Sequence, residues 1–197
     1  MEKFIDLGLS NQLIDSISKQ GFDTPTEIQK KSIPIILERK DVIAESFTGS
    51  GKTLAFGCGI IEQVQPGKGL QALVLTPTRE LAEQVKQSLW DLAVGKQIKI
   101  MAVYGGVSIK PQITKLPKTE VVIATPGRFL DHLARRTVNT SKIKVIVLDE
   151  ADCMLDMGFI EDVQKIMESC PHNRHTMMFT ATVSPRLRKL AQNQLKK

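Results

Sequence analysis

Three runs of four apolar residues, Ala72-Leu73-Val74-Leu75, Val121-Val122-Ile123-Ala124 and Val145-Ile146-Val147-Leu148, do most to restrict what this chain can fold into. Each has strand length, and none alternates polar with apolar positions. Successive strand side chains point to opposite faces of a sheet, so an all-apolar run must be covered on both sides. Strand candidates lie at 42–45, 71–75, 98–104, 120–124, 144–148 and 175–179, with helix-like stretches between them. In 79–93, for example, Leu81, Val85, Leu89 and Leu92 recur at spacings of three and four. Doubly buried strands separated by helices predict an α/β fold, a mostly parallel sheet covered by helices on both faces.

Local signals punctuate that pattern. Thr24-Pro25-Thr26-Glu27 reads as an N-cap, a Pro at N1 and a capping-box Glu, and predicts a helix beginning at Pro25. Thr125-Pro126 and Ser184-Pro185 repeat the cap-then-Pro pattern, Gly95 ends the helix that starts near residue 79, and 156–159 reads as a turn. No repeat, low-complexity tract or linker interrupts the chain, so its 197 residues read as one domain. Hydrophobic residues make up 42% and charged ones 24%, ordinary for a globular fold. Lys and Arg outnumber Asp and Glu by 27 to 21, which fits a polyanion partner as well as a solvated basic surface.

Cys58, Cys153 and Cys170 are odd in number and lack C-x-x-C spacing, which argues against a disulfide framework or zinc site and for a reducing compartment. No apolar run approaches the roughly 20 residues that span a bilayer, so the reading is cytoplasmic, with no membrane partner. His132, His172 and His175 show no ligand spacing and read as surface or structural residues. Met154, Met157, Met177 and Met178 read as packing residues.

Chemistry concentrates in two places. Thr48-Gly49-Ser50-Gly51-Lys52-Thr53 follows the strand candidate at 42–45 and opens a helix. Such a loop can converge backbone N–H groups on a phosphate at a helix N-terminus, with Lys52 on the β/γ-phosphates and Thr53 ligating Mg²⁺. The strict G-x-x-x-x-G-K-[ST] pattern fails at its first Gly, where Ser46 stands. Asp149 and Glu150 end another strand candidate. There Asp149 suits Mg²⁺ and Glu150 suits orienting and deprotonating a water. In open parallel sheets ligands sit at the carboxyl ends of strands, where both segments would lie. The two together indicate a nucleoside triphosphate.

Asp149-Glu150-Ala151-Asp152 spells the signature of the DEAD-box RNA helicases, and the rest of the chain resembles that family in order. Gly21-Phe22-Asp23-Thr24-Pro25-Thr26-Glu27-Ile28-Gln29, with Phe4 upstream, resembles the adenine-reading Q motif, and 44–53 resembles motif I. Pro77-Thr78-Arg79-Glu80-Leu81 resembles motif Ia, Gly105-Gly106 the glycine pair, and Thr125-Pro126-Gly127-Arg128 motif Ib. Thr180-Ala181-Thr182 stands where motif III usually reads Ser-Ala-Thr, and Phe47 sits where a polar residue is more usual.

The resemblance implies a RecA-like domain, ATP and Mg²⁺ as cofactors, and ATP-dependent unwinding or remodelling of RNA by the parent protein. It implies that Phe4, Thr24, Gln29, Thr48, Gly49, Ser50, Gly51, Lys52 and Thr53 hold the nucleotide, with Phe4 stacking on adenine. Lys52, Asp149 and Glu150 are then catalytic, and Thr53 and Asp149 hold the metal. Pro77, Thr78, Arg79, Gly105, Gly106, Thr125, Pro126, Gly127 and Arg128 form the RNA track through phosphate contacts, while Asp152, Thr180 and Thr182 couple the two. Gln29, early in its helix, can pair with N6 and N7 of adenine, the alternative being an ordinary exposed helical Gln; Phe22 is assigned to core packing. Arg79 and Arg128 read as phosphate ligands, or as surface arginines tethering a carboxylate. Nothing after residue 182 matches a second RecA-like domain, so 1–197 is read as the N-terminal domain, Q motif through motif III, with the C-terminal domain absent. Two readings of its behaviour stand: an enzyme on its own, or a binding module that holds nucleotide and RNA without unwinding.

Overall fold

Among residues 3–196, which the computed structural model describes, six strands pair in one sheet with every neighbour parallel. They are β1 (Val42–Glu45), β2 (Ala72–Leu75), β3 (Ile100–Val103), β4 (Val121–Ala124), β5 (Val145–Leu148) and β6 (His175–Thr180), in the order β1-β6-β5-β2-β4-β3. The three apolar runs are β2, β4 and β5, adjacent inside the sheet and buried at every residue. Edge strand β1 instead alternates buried and exposed positions, as a strand covered on one side should.

Nine helices cover the faces: α1 (Asn11–Lys19), α2 (Glu27–Leu37), α3 (Lys52–Gln63), α4 (Arg79–Leu92), α5 (Lys110–Lys115), α6 (Pro126–Ala134), α7 (Ala151–Asp156), α8 (Ile160–Glu168) and α9 (Pro185–Gln194) among the described residues. The period-2 alternation of the strands sorts the core into two layers. Val74, Ile123, Val147 and Phe179 pack with Ile36, Phe56, Ile60 and Leu89 of α2, α3 and α4. Leu73, Val122, Ile146 and Met178 face the other way, onto Phe129, Val163, Ile166 and Leu187 of α6, α8 and α9. Close approach fixes α3: a Cβ on Gly59 would overlap Ile36 of α2, and one on Gly57 would press on Leu89 and Leu92 of α4.

Three local expectations are corrected. The N-cap of α2 is Thr26, not Thr24, and the helix starts at Glu27; Gln29, three residues on, bonds back to the Thr26 N–H, while Pro25 is buried ahead of the cap. Met157 does not pack but is half exposed, because Gly158 at φ +80° turns the chain there. Phe22 does not pack in the core: Phe22 is 50% exposed, whereas Phe4 is 4% exposed within the α1–α4 layer. Gly21 at φ +81° carries the chain off α1 along the surface and leaves Phe22 outside. Met154, Met177, Met178, His132 and His175 are buried, the two histidines in structural hydrogen bonds.

Candidate nucleotide site and nucleic-acid interface

The carboxyl ends of all six strands lie along one edge, and backbone hydrogen bonds hold the segments that leave them in a row. Ser46 N–H donates to Thr180 C=O at 2.8 Å, Asp149 to Leu75 at 2.9 Å, Thr76 to Ala124 at 2.9 Å and Thr125 to Val103 at 3.0 Å. Strand order therefore divides the edge. The β1-β6-β5 half carries 46–53, Thr180–Thr182 and Asp149–Asp152; the β2-β4-β3 half carries 77–79, 125–128 and Gly105-Gly106.

In the first half the glycine loop places Lys52 at the start of α3 and aims it across the edge. Its Nζ lies 3.1 Å from Asp149 Oδ1 and 3.5 Å from Glu150 Oε1. Lys52 is 7% exposed, because the two carboxylates draw its ammonium inward. Burial pushes the Asp149 carboxyl up, opposed by the Lys52 charge. Glu150 occupies the left-handed region at φ 52°, a conformation costly for a side-chain-bearing residue. Five buried side-chain polar atoms lack hydrogen-bond partners among the described residues, and three belong here: Ser46 Oγ, Ser50 Oγ and Asp149 Oδ1. Asp149 Oδ1 is within ion-pair distance of Lys52 but not aligned to accept its proton. One orphaned carboxylate oxygen with the half-buried Thr53 hydroxyl close by in sequence to Lys52 is a hard-oxygen donor set. It fits Mg²⁺, which takes few protein ligands and completes its shell with water and phosphate oxygens.

Gln29 is not the ordinary exposed helical Gln of the alternative reading. It is 5% exposed, its Oε1 accepts from Thr26 N–H at 2.8 Å and its Nε2 donates to Gly51 C=O at 3.0 Å. Thr26 Oγ1 adds a bond to Ser50 C=O at 2.8 Å. The α2 cap and the glycine loop are thus one bonded unit, and Gly51, at φ +90°, is required because a Cβ there would overlap the Gln29 amide. Thr24, Thr48 and Gly49 are exposed, Thr24 away from the cap and the other two on the loop. Phe47, 72% exposed, lines a cavity of about 460 Å³ beside the loop with Thr26, Ile28 and Lys31. Nothing in the structure explains why an aromatic stands there.

Asp152, Thr180 and Thr182 meet. Buried Thr180 Oγ1 donates to Thr182 C=O at 2.8 Å and accepts from Asp152 N–H at 3.2 Å, while Thr182 Oγ1 donates to Asp152 Oδ2 at 3.3 Å. The hydroxyl that Thr shares with Ser makes both bonds, and the extra methyl fits.

In the second half, exposed Arg79 stacks over the Tyr104 ring at 4.9 Å. Among the described residues neither Arg79 nor Arg128 pairs with a carboxylate. Arg128 donates from both Nη atoms to Val107 C=O at 3.0 Å. Gly105, Gly106 and Gly127 are exposed, with no atom within 4 Å of where a Cβ would stand. Pro77 and Pro126 are buried, and Thr78 and Thr125 are half-buried caps of α4 and α6. Backbone N–H groups at helix starts and glycine turns suit phosphate oxygens, which orient a strand without reading sequence.

The sequence profile of the DEAD/DEAH box helicases matches residues 26–190. The chain belongs to that family. It is 44% identical over 194 residues to the ATP-dependent RNA helicase CshA of Listeria monocytogenes, covering 98% of this chain and 37% of that protein. A probable ATP-dependent RNA helicase of Methanocaldococcus jannaschii is 43% identical, covering 98% and 53% respectively. The crystal structure of a DEAD box protein from the hyperthermophile Methanococcus jannaschii superposes with a TM-score of 0.96 at 42% identity, over 99% of this chain and 54% of that one. A hypothetical ATP-dependent RNA helicase from Sulfolobus tokodaii gives 0.89 at 36% identity. The fold is therefore the RecA-like DEAD-box domain, and the chain spans about half or less of the length of the curated relatives it matches.

As a DEAD-box domain the chain also shows site neighbours that sequence reasoning missed. Tyr104, under Arg79, directly precedes the glycine pair, a signal available in the sequence. Ser46 lies inside the recognised loop, where the sequence marked it only as a departure from the pattern. Gln112, which touches Arg128, sits in an undistinguished stretch and gave no signal.

Proposed function

We propose that the chain is the first RecA-like domain of an ATP-dependent RNA helicase, binding Mg-ATP on the β1-β6-β5 half of its edge and RNA backbone on the other. The contact of Lys52 with Asp149 and Glu150 carries this reading, since residues about a hundred positions apart converge on one buried charge cluster. On nucleotide entry Lys52 leaves the carboxylates for the phosphates. Asp149 and Thr53 would then hold Mg²⁺, which neutralises phosphate charge and orients the γ-phosphoryl group. Glu150 is freed to accept a proton from the attacking water. The orphaned Ser46 and Ser50 hydroxyls add donors at the loop, and the exposed Phe22, rather than Phe4, offers the aromatic face for adenine. Asp152, bonded to Thr180 and Thr182, relates a change at the acidic pair to β6 and the segment that follows it.

Calorimetry with Mg-ADP and Mg-GDP tests the site. Tighter ADP binding, reduced by Lys52→Ala, is expected. Unchanged ADP affinity in Lys52→Ala with native circular dichroism would remove the loop from phosphate binding. Equal ADP and GDP affinities in the unmodified chain would remove Gln29 from adenine recognition.

A further inference from the structure

Beneath the exposed glycines of the proposed RNA track lies a buried polar junction. Gln112, on α5 and 6% exposed, donates from Nε2 to Tyr104 C=O at 3.1 Å. Its Oε1 accepts from Arg128 Nη1 at 3.2 Å and from His132 Nε2 at 2.9 Å. A guanidinium has donors only and a carbonyl is an acceptor only, so the amide has one possible orientation. His132, fully buried on α6, must then carry its proton on Nε2, leaving Nδ1 to accept from Thr137 Oγ1 at 2.7 Å. One carboxamide thus fixes the end of β3, the Arg128 guanidinium and the inner face of α6. Arg128 in turn clamps Val107, immediately after Gly105-Gly106. Nothing packs on Gly105, Gly106 or Gly127 from outside, so the two phosphate-facing turns are held only from below.

We infer that Gln112 is a positioning residue for RNA binding, setting the spacing of the Gly105-Gly106 turn relative to the start of α6 through Arg128 and His132. This rests on the RNA reading proposed above. A mismatch between the two turns loses phosphate contacts, while the nucleotide half, three strands away on the same edge, keeps its geometry.

The test is a double-mutant cycle on the full chain, using fluorescence anisotropy with oligouridine RNA at low salt and calorimetry with Mg-ADP. Gln112→Met keeps the volume and removes the hydrogen bonds. It should weaken RNA binding about tenfold, the scale of lost buried hydrogen bonds, and lower the salt slope by about one phosphate contact, with ADP affinity unchanged. Combined with Arg128→Met it should lose little beyond Arg128→Met alone, since both act through one junction. RNA affinity preserved in Gln112→Met would overturn the inference alone. So would additive losses, or a parallel fall in ADP affinity, which would mark a general loosening of the domain. No RNA binding by the unmodified chain would overturn the RNA reading with it.

Discussion

Lys52 shows how a residue proposed to bind a ligand can also carry a structural duty. Its ammonium is the cation paired with Asp149, which is 1% exposed, and Asp149 also feels the like charge of Glu150. Lys52→Ala should therefore reduce stability as well as nucleotide affinity, by about 3 kcal/mol if the carboxylate stays charged and less if it takes up a proton. Thermal melts at pH 7.5 would show the loss, and adding Asp149→Asn should restore much of it. A melting temperature unmoved by Lys52→Ala would mean that solvent already screens Asp149. Gln29 has two duties as well. Its amide closes the α2 capping box and holds the Gly51 carbonyl, so any adenine contact must share or break those bonds.

At the scale of elements, helix packing and strand ends decide what each substitution costs. In Gly59→Ala, better helix propensity contributes up to about 1 kcal/mol, but the new methyl must displace Ile36, which is fully buried between α2 and α3. Overpacking of that kind costs about 1–3 kcal/mol, so net destabilisation is expected; a raised melting temperature would show that α2 yields freely. The buried imidazoles of β6 and α6 give a pH dependence. His175 donates Nε2–H to Lys40 C=O at 2.7 Å and accepts from Gln63 at Nδ1, so a second proton would face a donor. Burial depresses the His175 and His132 pKa values below the usual 6.5. A depressed histidine pKa means that the unfolded chain binds the extra proton first. Stability is then full above about pH 6.5 and falls as pH drops from there towards the folded-state values. His175→Gln should flatten part of that fall between pH 7 and 5, and an unchanged profile would exclude His175 as a source.

For the molecule as a whole, the proposed reaction asks more of the active site than these residues supply. Among the described residues Lys52 is the one cation paired with the acidic cluster, whereas Arg79 lies over Tyr104 and Arg128 on Val107 at the other end of the edge. A transferring γ-phosphoryl group needs further positive charge, and an arginine supplied by another domain can be worth about 10³–10⁵ in rate. Residues 1–197 alone should therefore show little RNA-stimulated ATP turnover. A second RecA-like domain, fused or added in trans, should raise it by orders of magnitude in a steady-state assay. Robust RNA-stimulated turnover by the 197-residue chain, abolished by Glu150→Gln, would instead make it a self-sufficient enzyme.

The inner strands β2, β4 and β5 and the parallel arrangement around them were legible because four-residue apolar runs state their own double burial, and the glycine loop and acidic pair stood out because the chemistry proposed for them needs fixed residue types at short spacing. Both are local properties, written in consecutive residues. Tertiary structure alone decided the strand order, and with it which loops share each half of the strand-end edge. It also decided that Lys52 is buried, that Gln29 is bonded to the loop, and that Phe22 rather than Phe4 is exposed. No periodicity distinguishes two aromatics at the ends of one segment; which is buried depends on whether other elements cover it. Gln112 makes the same point, since an amide in a short helix takes its meaning from the carbonyl, guanidinium and imidazole that folding brings to it.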